Sequence, residues 1–292
     1  MTRQKLNDQN NVTYIQGDIC NPSLLNEHIS RSDFVVHLAG CKNDLQSYNR
    51  VNVEGTRNVI DACVNNNRLK KLIYLSSVGV IGATDDIVID ERTDCHPQNN
   101  YERSKYQAEL IVKAYSNKHP GKVVILRPTN VFGENDPEVH LLNLLRNIIN
   151  NRFYFIGNNI SKYYLNYLYV REISELFPRL LDAETINDLY ILNTPTRLDD
   201  FILTIKNILK DETPVKHIPY WPVRLIARCF DFVPHKIMRH QPINSIKLKE
   251  LTNVKQYSSS LLSTDLNWNP AFKVEEALNN LISHYYRMGL LA

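Results

Sequence analysis

Residues 72–82 read LIYLSSVGVIG, and this stretch decides the fold. Leu72–Leu75 is a continuous apolar run of strand length, as expected of a strand buried on both faces. It ends in Ser76-Ser77, after which Gly79 and Gly82 punctuate the chain. Hydroxyls at the carboxyl end of a parallel strand lie in the crevice where such sheets bind ligands. Working outward, Phe34–Leu38 (FVVHL) reads as another buried strand by its continuous apolar run, and Val123–Leu126 (VVIL) and Leu189–Asn193 (LYILN) as further strands. Val12–Gln16 (VTYIQ) reads as a short first strand. Between the strands, Asn52–Asn65 and Tyr101–Tyr115 carry apolar residues at helical spacing. This alternation predicts an α/β fold, a doubly wound parallel sheet with helices on both faces.

After Pro128 the rhythm loosens. The spacing predicts a helix over Val139–Asn150, a tyrosine-rich stretch over Ser161–Val170 and a helix over Leu198–Leu209 capped by Thr196. A surface helix over Val274–Tyr286 follows near the end. Pro214–Lys255 holds five prolines and no clean period, as expected of an irregular lobe. Within it, Trp221–Val233 is amphipathic with Arg224 and Arg228 on one face, and reads as a helix packed on its own domain rather than on a membrane.

Composition narrows the function classes. The 292 residues are 43% hydrophobic, enough for a large core, and the net charge is +3 with no long basic block, which argues against nucleic acid as a partner. Five separated cysteines with no CxxC predict no disulfide framework and fit a reducing cytoplasm. His37 and Cys41 lack partners at metal-ligand spacing, so no metal is expected. The opening residues MTRQKLNDQNN have no apolar core of the signal-peptide kind. No apolar run reaches the length of a membrane span.

Tyr101 and Lys105 stand four apart on a predicted helix and share a face. A nearby ammonium favours tyrosinate, so the phenol can move a proton near neutral pH. Ser77 can hydrogen-bond a substrate hydroxyl or carbonyl beside it. Taken alone, a YxxxK pair is a weak signal, and its context carries the argument.

Several motifs in order make the chain resemble the extended short-chain dehydrogenase/reductases. That family holds nucleotide-sugar epimerases, dehydratases and reductases and the 3β-hydroxysteroid dehydrogenases. The motifs are Gly17-Asp18-Ile19, His37-Leu38-Ala39-Gly40, Asn52-Val53-Glu54-Gly55-Thr56 and Leu75-Ser76-Ser77 with Val80-Ile81-Gly82. Tyr101-Glu102-Arg103-Ser104-Lys105, Arg127-Pro128-Thr129-Asn130-Val131-Phe132-Gly133, Tyr169-Val170-Arg171-Glu172-Ile173 and Leu266-Asn267-Trp268-Asn269-Pro270 follow. Ile81 stands where the family has tyrosine, and Glu172 where it has aspartate.

The resemblance implies a Rossmann-like cofactor domain over about residues 1–135 plus 160–210, and a small substrate-binding lobe over about 136–159 plus 211–292. It implies NAD or NADP as cofactor, with Asp18 and Ile19 at the adenine, Leu38, Ala39 and Gly40 along the dinucleotide, and Asn52, Ser76, Tyr101, Lys105 and Pro128 completing the contacts. Ser77, Tyr101 and Lys105 would be catalytic, and Ser77 and Asn130 would meet substrate. A nucleotide sugar is the preferred substrate and a sterol-like alcohol the alternative. A homodimer through helices 52–65 and 101–115 is implied too, and a non-catalytic dimerising protein is a reading from another class.

Two departures matter. The family opens with a strand, a GxxGxxG turn and a helix, and nothing of that kind precedes Val12. The expectation is an N-terminally incomplete sheet, through truncation in preference to a genuine short form, and a defective cofactor site. Second, the family's 4,6-dehydratases place Asp-Glu after the active-site hydroxyl, where this chain has Val78-Gly79. Dehydration is therefore disfavoured, while epimerisation and simple alcohol–ketone exchange stay open.

Overall fold

Apolar runs too short for helices pair here as parallel strands. The computed structural model describes residues 11–42, 44–136, 139–183, 187–231, 245, 248–249 and 252–291. The strands in chain order are β1 (Phe34–His37), β2 (Lys71–Leu75), β3 (Val88–Ile89), β4 (Val123–Pro128), β5 (Asn130–Phe132) and β6 (Tyr154–Ile156). They continue with β7 (Tyr164–Tyr169), β8 (Leu189–Leu192), β9 (Thr194–Arg197), β10 (Lys216–Ile218) and β11 (Gln256–Tyr257). The central sheet has the order β1-β2-β4-β8, all parallel, with Val36 opposite Ile73, Ile73 opposite Val124 and Leu126 opposite Tyr190.

Residue alternation sends each strand into two cores, as a doubly wound sheet requires. Leu72, Tyr74, Val123 and Ile125 pack with helices α1 (Pro22–Ile29), α2 (Gly55–Val64) and α3 (Asn100–Lys118). Ile73, Val124 and Leu126 face the other way, onto Leu176 and Leu180 of α5 and onto Trp268. Here α4 is His140–Ile149 and α5 is Val170–Asp182. A third core joins α4, α6 (Leu198–Leu209) and the C-terminal helix Val274–Arg287 through Leu145, Phe201, Ile205, Leu278 and Leu281. Around it lie the sheets β5-β7-β9 and β10-β6.

Four expectations are corrected. Val12–Gln16 is not a strand: it makes single bridges at Val12 and Gln16, and Val12 and Tyr14 are exposed. Its alternating side chains bury too little surface to hold a ladder. The edge of the described sheet is therefore β1, so the Phe34–Leu38 run is not the buried strand expected: Phe34 is 40% exposed while Leu72 and Ile73 on the next strand are fully buried. Thr196 does not cap α6: it lies in β9 and its hydroxyl donates to the Thr194 carbonyl. Arg197 keeps the chain extended for one more residue, and Asp199 and Asp200 complement the dipole in the first turn instead. The segment after Pro214 is not wholly irregular, since it forms β10 and helix α7 (Tyr220–Asp231). Residues 232–244 of that segment and the polar opening residues 1–10 lie outside the described residues.

Candidate active site

Tyr101 is placed by a capping box. The Asn99 side chain accepts the Glu102 backbone N–H at 2.9 Å, and the Glu102 carboxylate accepts the Asn99 N–H at 3.3 Å. This fixes the start of α3 and sets Tyr101 in its first turn. An N-x-x-E pattern at 99–102 is the sequence signal that would have moved the predicted helix start forward. The Tyr101 ring meets Tyr48 edge to face, with centroids 6.0 Å apart.

Lys105 lies one turn further on, nearly fully buried. Its Nζ donates to the Leu75 carbonyl at 2.7 Å and sits 4.6 Å from the centre of the Tyr74 ring. Burial pulls its pKa down to about 8, with Glu109 acting weakly the other way. The contact at Leu75 ties α3 to the end of β2, two residues before Ser77. Ser77 itself caps the short turn Val78–Val80, its hydroxyl accepting the Gly79 N–H at 3.1 Å. A side chain on Gly79 would crowd Glu102, its Cβ lying 3.3 Å from Glu102 Cγ. The serine turn and the tyrosine turn are thus packed against each other, which the sequence places together only through its motifs.

Asn52 forms a strut beneath them. It lies buried in the π-helical turn Tyr48–Glu54, a backbone form often found at functional sites. Its Nδ2 donates to Ser104 Oγ and to the Cys41 carbonyl, both at 2.9 Å, and its Oδ1 accepts the Cys41 N–H at 2.6 Å. Ser104 Oγ in turn donates to the Tyr101 carbonyl at 2.7 Å. Asn52 therefore joins the turn after β1 to the Tyr101 turn, a supporting place rather than one of contact with a reacting group. His37 is neutral: burial, with Lys105 second, drives its pKa down to about 3. Thr56 Oγ1 donates its proton to the Asn52 carbonyl at 2.6 Å, so His37 Nε2 is the donor in its 2.9 Å bond to Thr56 Oγ1. No group of metal-ligating side chains occurs among the described residues.

A buried charge network, not anticipated from the sequence, underlies the site. Glu109 accepts from Ser76 Oγ at 2.6 Å, from Arg127 Nε at 3.0 Å and from Arg127 Nη2 at 2.6 Å. Ser76 precedes Ser77, Glu109 follows Lys105 by one turn, and Arg127 precedes Pro128, so a single carboxylate links three site segments. The Ser76 hydroxyl is thereby committed to Glu109. The spacing Tyr101–Lys105–Glu109 on one helical face was the available sequence signal.

The remaining predicted contacts fall as follows. Leu38, Ala39 and Gly40 are exposed at the carboxyl end of β1, and a Cβ on Gly40 would meet only Asn52 Oδ1, at 3.5 Å. Pro128 ends β4 buried, and Asn130 opens β5 exposed. Asp18 accepts the Cys20 N–H at 2.9 Å and pairs with Arg50 at 3.2 Å, while Ile19 is buried against α2. Two motif segments are structural. Glu172 accepts the N–H groups of Ala271 and Phe272, each at 2.9 Å, which anchors the LNWNP turn. Asn267, where the family pattern has glycine, adopts a left-handed φ of 47° that asparagine tolerates better than most residues.

These features can be set beside known proteins. The profile of the 3-beta hydroxysteroid dehydrogenase/isomerase family matches residues 1–188. An N-acetyl-alpha-D-glucosaminyl-diphospho-ditrans,octacis-undecaprenol 4-epimerase from Escherichia coli O157:H7 is 29% identical over 84% of this chain and 75% of its own length. A dTDP-D-glucose 4,6-dehydratase from Mus musculus is 26% identical over 97% of this chain and 76% of its own. The crystal structure of a UDP-glucuronic acid 4-epimerase from Bacillus cereus in complex with NAD superposes with a TM-score of 0.69 at 18% identity, covering 94% of this chain and 80% of that one. At that identity the superposition speaks for the fold, the doubly wound parallel sheet expected from the sequence.

Proposed function

Because the chain belongs to the 3-beta hydroxysteroid dehydrogenase/isomerase family, we propose that it is an NAD(P)-dependent epimerase or oxidoreductase whose substrate is a nucleotide sugar. The observation that carries the reading is the packing of the Ser77 turn against the first turn of α3, with Lys105 bonded across to Leu75. The relative named for dTDP-D-glucose supports the substrate class over a sterol.

The residues present fit the nicotinamide end of a dinucleotide. Leu38–Gly40 offers an open, uncharged turn, and Lys105 brings a buried cation to the end of β2. When bound, that cofactor would take up and return a hydride. The chain's own groups do the rest. Tyr101 takes the proton from a sugar hydroxyl as it becomes a carbonyl, and returns it when the carbonyl is reduced. Lys105 favours the tyrosinate electrostatically. Ser77 orients the reacting oxygen, and Asn130, exposed at the start of β5, contacts the sugar. Val78 and Gly79 supply no acid or base after the serine, so the proposal stops at epimerisation or alcohol–ketone exchange.

The pyrophosphate is different. Among the nine glycines of the sequence no GxxGxxG occurs, and the described residues before β1 present one helix N-terminus, that of α1, capped by Asn21. We propose that this chain by itself holds the dinucleotide weakly. The dimer belongs here too: Leu110 and Val64, both exposed, lie on the outward faces of α3 and α2.

The test has two arms. Calorimetric titration with NAD and NADP checks cofactor binding, and micromolar affinity would refute the weak-binding reading. NMR-monitored incubation with UDP- and dTDP-hexoses and added NAD checks turnover. Tyr101→Phe should cut it about 100-fold or more, the usual worth of a positioned proton-transfer group, with cofactor affinity unchanged. Unchanged turnover removes Tyr101 from the chemistry.

A further inference from the structure

Helix α7 has two apolar faces, and the fold uses one. Val223 and Ala227 pack with Leu248, Ile156 and Ile218 above β6 and β10. That contact agrees with the sequence reading of a helix docked on its own domain. On the opposite face Trp221 is 72% exposed and Leu225 58%, and Ile226, 49% exposed, lies further round the helix. Trp221 and Leu225 stand one turn apart and form a stripe along the outside of the helix. Arg224 and Arg228, also one turn apart and exposed, lie along one side of that stripe, with Asp231 beside them. Lys216 at the start of β10 is exposed as well.

Charge says what this face fits. Among the described residues from Lys216 to Lys249, the cations Lys216, Arg224, Arg228 and Lys249 stand against Asp231 alone. That surplus of three equals the net +3 of the whole chain. A tryptophan and two aliphatic side chains bordered by cations match an interface that is apolar within and anionic at its surface. Arginine stems can lie along the apolar layer while their guanidinium groups reach phosphate.

We propose that α7 seats the protein on an anionic lipid bilayer surface. Trp221, Leu225 and Ile226 enter the boundary between headgroups and acyl chains, and Arg224 and Arg228 pair with lipid phosphates. The helix lies in the interface and does not cross it, since no helix among the described residues is long and apolar enough to do so. The proposal is independent of the substrate assignment above and survives its failure.

The test is co-sedimentation of the full chain with vesicles of phosphatidylcholine plus phosphatidylglycerol, against vesicles of phosphatidylcholine alone. The unmodified protein should pellet with the anionic vesicles and be released at high salt. In Arg224→Glu/Arg228→Glu the partition should fall by about fivefold or more for each charge reversed. Trp221→Ala/Leu225→Ala should lose binding while keeping the melting temperature, because neither side chain is buried. A measurement on the unmodified protein guards against misfolded variants. Brominated phosphatidylglycerol should quench tryptophan emission, since Trp221 is exposed and Trp268, the second of two tryptophans, is 4% exposed. Equal binding to both vesicle types, no quenching, or variants that bind as the parent does would overturn the proposal. So would absent vesicle binding together with a dimer that Trp221→Ala/Leu225→Ala converts to monomer, which would give the face to a second copy.

Discussion

Replacing Arg127 by methionine should strip Glu109 of its main partner while keeping most of the side-chain volume. The guanidinium is 1% exposed and the carboxylate fully buried, and two hydrogen bonds at 3.0 and 2.6 Å join them. Removing one partner of a buried pair commonly costs about 3–5 kcal/mol, because the other charge stays desolvated and uncompensated. Two contacts soften the loss here: Ser76 Oγ at 2.6 Å, and Lys113 Nζ at 3.0 Å. Arg127 Nη1 also lacks any partner in the folded protein, a cost that the substitution removes. The lower end of the range, about 3 kcal/mol, is therefore expected, or a melting temperature lower by about 6 °C.

The pH dependence separates charge loss from cavity formation. Burial pushes the Glu109 carboxyl up, but the Arg127 bonds and charge, with Lys113 and Ser76, outweigh it and hold the group below its ordinary value of 4.5. A carboxyl depressed in the folded state adds stability above its unfolded pKa and loses it as pH falls through the folded one. Without Arg127, burial dominates and the folded pKa rises above the unfolded value. Protonation then relieves the variant as pH falls, while the parent loses its advantage. Urea melts followed by circular dichroism should show the gap near 3 kcal/mol at pH 7 and a smaller gap below about pH 4. A loss under about 1 kcal/mol at pH 7, or one that is constant with pH, would refute a charge-based role for the pair. Glu109→Leu added to Arg127→Met should recover much of the loss, since apolar replacement of a whole buried pair is often neutral.

Lys105→Met should stabilise the fold by roughly 1 kcal/mol at pH 7. Its folded pKa of about 8 lies below the ordinary 10.5, so the buried ammonium costs stability at neutral pH and the cost disappears as pH rises from about 8 to 10.5. The gain should shrink over that window in parallel melts, and a gain that does not shrink contradicts the assignment. Gly82 holds a φ of 62°, and a Cβ there would press into the His96 carbonyl oxygen. Gly82→Ala should accordingly cost about 2 kcal/mol or more, measured by the urea midpoint. Leu110→Glu should convert a dimer to monomer in light scattering; an unchanged mass moves the interface off α3. Asn52→Ala should lower kcat more than it raises KM, because Asn52 touches Ser104 and Cys41 rather than any group placed on the substrate; an effect on KM alone would give it a binding role.

The central sheet was legible because its strands are apolar on both faces. Runs such as Leu72–Leu75 and Val123–Leu126 have few other homes, and they pair in the order the alternation implies. VTYIQ at 12–16 failed for the complementary reason. Alternation reports what a strand could bury, and among the described residues no ladder is there to bury it. The bounds of α6, Leu198–Leu209, were legible but its cap was not, because Thr196 satisfies its hydroxyl within β9 and leaves Arg197 at the cap position. In the candidate site, spacing and motif single out Tyr101, Lys105 and Ser77, the N-x-x-E pattern signals the capping box, and the π-helical turn beneath them leaves no mark in the sequence.

Glu109 shows why the supporting layer escapes a linear reading. A carboxylate in the middle of an amphipathic helix looks solvent-facing until its partners are known, and those partners, Ser76 and Arg127, come from two other strand ends. Each of the three is polar at a position that burial alone would assign to an apolar residue, and only their mutual hydrogen bonds make that tolerable. Their adjacency to Lys105, Ser77 and Pro128 then follows from chain geometry. Residues one helical turn or one peptide from a reacting group share its rigidity, so a network that locks Ser76, Glu109 and Arg127 also limits how far Ser77 and Lys105 can drift. Glu109→Gln, which keeps the shape and drops the charge, should on this reasoning lower turnover at a pH where the fold remains intact and shift the upper limb of the pH–rate profile through Lys105. If turnover and profile both match the parent, the network serves stability alone.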